Sequence, residues 1–197
     1  KVKNNTYSME DVYTSLLHEL IHVKTNLKLF SQEFQQTNEY KQLESSYNKY
    51  LKSIDSDEAN TYKEAYKLSR ELNKPFNDLL NNPTQDEIDT LSKRLNVSKN
   101  DVTKYIKSFS ASKKAAKSKY YANVSINEFV ALAMTDEGFQ NYLKTIPGKS
   151  SKSLWKEFVD AILKIFGGNN LLAETIESII DVVEYTNRSS VIDREEA

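Results

Sequence analysis

At 197 residues the chain is long enough to bury a substantial core, and 27 Lys and Arg against 28 Asp and Glu give it no global attraction to nucleic acid or an anionic membrane. It has no cysteine, which excludes disulfides and thiolate metal ligands, so any metal must be held by histidine and carboxylate. Only four Gly and three Pro argue for long helices joined by short polar links, and no apolar run approaches the roughly 20 residues that span a bilayer.

Ser8-Met9-Glu10-Asp11 reads as a helix start, with Ser8 as cap and acids in the first turn. Met9, Val12, Leu16, Leu20, Leu27, Phe30 and Phe34 recur at three- and four-residue steps, predicting one helix from Ser8 to Phe34. Residues 39–73 are polar, Tyr-rich and helically spaced, and Lys74-Pro75 and Asn81-Asn82-Pro83 punctuate the chain beyond them. Thr84-x-x-Glu87 and Ser98-x-x-Asp101 predict two further helix starts. Residues 99–119 carry seven lysines against one acid, Asp101. Without interleaved Arg, they read as a solvated helix face leading into a mobile loop from Ser108 to Ser118.

Ser125-Ile126-Asn127-Glu128 opens another helix, and Thr135-Asp136 caps a short one containing Phe139, Tyr142, Leu143 and Ile146. After the break at Pro147-Gly148, Leu154, Trp155, Phe158, Ile162, Ile165 and Phe166 define an amphipathic helix stopped by Gly167-Gly168. A last helix is expected at about 170–186, with a frayed tail behind it. The expected strands are residues 1–7 and a piece near Tyr120 to Val124. The fold class is therefore mainly α, a multi-helix domain with little or no β-sheet. Its expected regions are 1–38, 39–117, 118–150 and 151–197, joined as one compact domain. A start at Lys1 with no initiator Met, and an H-E-x-x-H motif beginning only 17 residues later, lead us to expect a piece of a larger polypeptide.

The chemistry is concentrated in Leu17-His18-Glu19-Leu20-Ile21-His22, an H-E-x-x-H motif that holds the chain's two histidines. On a helix, residues i and i+4 share a face with Cβ atoms about 6 Å apart, so two imidazoles can close on one metal ion. Glu19 sits beside that face, within reach of a metal-bound water. A catalytic zinc takes three protein ligands and one open position. With no third His and no Cys, the remaining ligand must be Asp or Glu, and spacing alone does not choose among the acids.

H-E-x-x-H together with the later helix Glu128-Phe129-Val130-Ala131-Leu132-Ala133-Met134 resembles the gluzincin branch of zinc peptidases, in particular the catalytic domain of anthrax lethal factor. With Phe139-Gln140, Leu143, Ile146-Pro147 and Ser153-Leu154-Trp155, it also looks like metallopeptidase-like segments of very large phage and mobile-element proteins. The resemblance covers roughly residues 8–30 and 118–166; the insert between them matches neither. It implies Glu128 as third zinc ligand beside His18 and His22, Glu19 as the base that takes a proton from the zinc-bound water, and Tyr121 as an oxyanion donor.

It also implies a protein or peptide substrate and a place within a larger parent chain. The location it implies is virion-associated or, after delivery, a host cytoplasm; the balanced charge and the short apolar runs, for their part, lead us to expect no membrane span and no nucleic-acid partner. Where the family places a second acid to orient a zinc-binding histidine, this chain has Leu132, with Asp136 one turn further on. Ser125-x-x-Glu128 also fits a capping box, in which Glu128 would fold back on the helix start. The alternative function is an inactive zincin-like structural or cargo module of a virion.

Overall fold

The structure is a computed structural model that describes residues 9–54, 56–112, 114–149 and 152–166. The Ser8 cap, the strand at 1–7, the Gly167-Gly168 stop and the helix at 170–186 lie outside the described residues. Eleven helices and no strand occur among the described residues, which is the mainly α class expected from the scarcity of turn-formers. No described helix is long and apolar enough to cross a membrane.

The chain divides into two compact units, Lys1–Ser46 with Ala131–Ala197, and Tyr47–Val130. In the first, α1 (Met9–Leu29) and α2 (Gln32–Gln35) lead into α3 (Asn38–Ser53). The single helix expected through Phe34 is broken because Ser31 adopts extended φ and ψ of −66° and 123° and caps α2, its hydroxyl accepting the Phe34 N–H. At the end of α1, Lys28 Nζ donates to the Ile165 carbonyl at 2.5 Å and lies over the rings of Phe34 and Phe166.

The later part of α9 (Ile126–Thr135) leads to α10 (Glu137–Thr145) and α11 (Leu154–Phe166). Asp136 starts α10 by accepting the Phe139 N–H at 2.7 Å, the cap expected at Thr135-Asp136. Phe139, Leu143, Leu154, Phe158 and Ile162 are each fully buried, so α10 and α11 pack through their predicted apolar stripes. Between them the chain turns tightly at Gly148, where a Cβ would meet the Lys152 carbonyl at 2.8 Å.

In the second unit, α4 (Ser56–Glu71) packs against α5 (Phe76–Asn81), α6 (Gln85–Leu95), α7 (Lys99–Ala111) and α8 (Lys114–Tyr121). Its centre is aromatic: the Tyr62 ring lies 5.1 Å from Phe76 and 5.0 Å from Phe109, both edge-on. Thr84 and Glu87 form the complete capping box of α6, and the Ser98 hydroxyl accepts the Asp101 N–H of α7 at 3.1 Å. Lys99, Lys104 and Lys107 are exposed, the solvated face expected of them.

Two expectations fail in this unit. The loop from Ser108 to Ser118 is mostly helix, because the fully buried Phe109 holds the last turn of α7 to Ala111 and α8 begins at Lys114. The strand near Tyr120 to Val124 is instead the end of α8 and a turn, in which the Asn123 and Val124 N–H groups donate to the Tyr120 and Tyr121 carbonyls. The turn is fixed by its polar groups: Tyr47 Oη donates to the Asn123 carbonyl at 3.1 Å and Asn123 Nδ2 to the Ala59 carbonyl at 2.7 Å.

Candidate metal centre

Within α1 the histidines are not on the stripe that announced the helix. Leu16, Leu20, Val23, Leu27 and Phe30 are exposed, Leu27 at 86%. The inward face is Ile21, Thr25 and Leu29, all buried, with His18 and His22 half-buried alongside. Thr25 fits that face by returning its hydroxyl to the Ile21 carbonyl at 2.8 Å.

The Nε2 atoms of His18 and His22 are 3.0 Å apart, with ring centroids at 4.6 Å and planes at 81°. One imidazole N–H donates to the other ring nitrogen, so both Nε2 atoms address the same point. Two nitrogens on one tetrahedral zinc, each at 2.0–2.1 Å, are about 3.3 Å apart, so a small separation of the rings would admit an ion.

His18, His22 and Glu128 each offer one ligand atom, and these atoms all lie within 4.8 Å of one another. All three side chains are half-buried. Two imidazoles and one carboxylate form a donor set that could hold a metal ion. The Ser125 hydroxyl accepts the Glu128 N–H at 3.2 Å, so Ser125 caps α9 as expected, while Phe129 and Val130 behind the glutamate are fully buried.

Tyr121, the last residue of α8, hydrogen-bonds to Glu128 and to Tyr66 of α4. Burial, the Tyr66 hydrogen bond and the negative charge of Glu128 hold the Tyr121 phenol far above the ordinary tyrosine range. It is therefore a neutral O–H donor at any working pH. Tyr66 meets Tyr121 edge-on at 5.5 Å and Phe76 at 5.4 Å. Sequence reasoning passed over Tyr66: it is one of 12 tyrosines, and 55 positions separate it from its partner. Nearby, burial first, then Tyr66 and Glu128, raise the Tyr62 phenol as well.

Glu19 is exposed on α1 between the two histidines, one residue round the helix from the ligand face. Leu132 is buried, 8% exposed, in the apolar run of α9, and Asp136 serves as the cap of α10. No family model matches the chain, and no curated protein or solved structure matches it either.

Proposed function

We propose that this chain is a zinc-dependent peptidase domain, a module of a larger phage or mobile-element protein. The observation that carries the reading is the grouping of His18, His22 and Glu128 within 4.8 Å, next to a glutamate in the H-E-x-x-H position. When bound, zinc supplies Lewis acidity and brings the pKa of a coordinated water down to about 7. The chain's own residues do the rest. His18, His22 and Glu128 fix the ion, and the Tyr121 O–H holds the Glu128 carboxylate in place. Glu19 takes the proton from the attacking water and returns it to the leaving amine, a role its exposed position on α1 leaves it able to fill.

The test is metal analysis of the purified chain combined with peptide cleavage. Near-stoichiometric zinc, with cleavage lost in Glu19→Gln while zinc stays, supports the reading; zinc with no cleavage of any unstructured protein substrate overturns it. Leu132 favours a second reading, an inactive zincin-like structural or cargo module of a virion, because an apolar side chain there cannot orient a ligand histidine. Cleavage by the parent protein that disappears in His18→Ala would eliminate it.

A further inference from the structure

The helical insert matches no part of the resemblance, yet it holds a cavity of about 380 Å³, the size of a small-ligand site. Its walls include Tyr66 and Phe76, whose rings meet edge-on, together with Arg70, Asn73 and Lys74. The two cations are not equivalent. Lys74 Nζ donates to both Glu87 carboxylate oxygens, at 2.8 and 2.9 Å, and is neutralised there. Arg70 is exposed, and among the described residues no carboxylate pairs with it. The cavity thus offers one uncompensated guanidinium beside two aromatic faces and the Asn73 amide.

Tyr66 joins this cavity to the candidate metal centre. Its ring forms the cavity wall, and its side chain hydrogen-bonds to Tyr121, which hydrogen-bonds to Glu128.

We propose that the Tyr66–Arg70–Phe76 cavity is a specificity pocket that receives an acidic side chain, Asp or Glu, of the peptide substrate. The assignment rests on the peptidase reading. A guanidinium fork matches a carboxylate with two parallel hydrogen bonds, and the aromatic walls cover the aliphatic stem. A single unpaired cation suits a single negative charge; a phosphoryl group would call for a second, and Lys74 is already committed to Glu87.

The experiment uses three peptides identical except for Glu, Gln or Lys at one position, scanned across the three residues on each side of the cleaved bond. With the zinc-loaded protein, one position is expected to favour Glu over Gln by about tenfold in kcat/KM. Arg70→Glu should reverse that ratio toward the Lys peptide, and Arg70→Lys should retain part of it. A Glu-to-Gln ratio unchanged in Arg70→Glu overturns the proposal. Fluorescence anisotropy of the same peptides on zinc-loaded Glu19→Gln provides a readout without turnover. If the wild type cleaves nothing but this binding still discriminates Glu from Gln through Arg70, the pocket stands and the peptidase reading falls. Absence of discrimination in binding sinks the pocket whether or not the protein is a peptidase. Arg70 is exposed, so its variants are expected to fold, which thermal unfolding checks.

Discussion

His18 Nε2 and His22 Nε2 face each other across 3.0 Å, one helical turn apart on α1. That contact holds both rings in the rotamers a shared metal needs, which lowers the cost of organising the site on binding. His18→Ala and His22→Ala are each expected to weaken divalent-metal affinity at least about a hundredfold, measured by competition with a chelator. Far-UV circular dichroism should stay unchanged, since both rings are only half-buried. Metal binding should also release protons, because the ligands bind deprotonated, and affinity should fall on acidification. Calorimetry in buffers of different ionisation enthalpy counts those protons.

Tyr121→Phe keeps the ring against Tyr66 and removes only the hydroxyl that reaches Glu128. We expect a tenfold to hundredfold loss of metal affinity, the range typical for removing a group that orients a ligand. Tyr66→Phe should cost less, since Tyr66 acts on Glu128 through Tyr121. An equal or larger loss in Tyr66→Phe would reverse the order of that chain.

Glu87 is nearly buried, and burial alone would raise its carboxyl pKa. Hydrogen bonds from Lys74 and from the Thr84 backbone outweigh this and hold it below the ordinary carboxylate range. A folded value below the unfolded one gives stability that is complete above the unfolded titration and is lost as pH falls through the folded one. Lys74→Met should therefore cost about 2 kcal/mol at neutral pH and less at an acidic pH, the difference shrinking as pH falls through the folded titration of Glu87. Thr84→Ala removes the other half of the capping box, at about 1 kcal/mol. Urea unfolding at the two pH values measures both effects.

The two apolar stripes of α1 should behave oppositely. Leu27→Gln combined with Phe30→Gln alters side chains 86% and 66% exposed, and is expected to change stability by no more than about 0.5 kcal/mol while raising solubility. Leu29→Ala empties a site that is 2% exposed and should cost about 3 kcal/mol. Denaturant midpoints of the two variants give the comparison.

Local signals in the sequence carried most of the fold. Thr84 with Glu87, Ser98 with Asp101, and Asp136 mark helix starts because a cap needs only residues a few positions apart. The apolar spacing of α10 and α11 is likewise local, and both helices form where it places them. Apart from the break at Ser31, which is a local cap, what failed depended on burial by distant elements. The lysines and serines of 108–118 read as a loop, yet Phe109 in that stretch is anchored edge-on against Tyr62 of α4, far away along the chain. The inward face of α1 was hidden for a related reason: its polar members, His18, His22 and Thr25, contribute nothing to apolar periodicity. The histidine pair was legible from i,i+4 spacing; Glu128 came from resemblance to a helix pattern, since no spacing rule links residues so far apart in the chain. Tyr66 had neither kind of signal.

The aromatic inventory of the chain also provides two independent internal probes. His18 and His22 are its entire complement of imidazoles, so every histidine ring resonance in a proton–nitrogen spectrum comes from the candidate metal centre. Its one indole, Trp155, is 4% exposed in α11, where its emission tracks exposure of the core. Ion titration and chain unfolding can thus be monitored in the same unlabelled sample, by signals that report on different parts of the molecule.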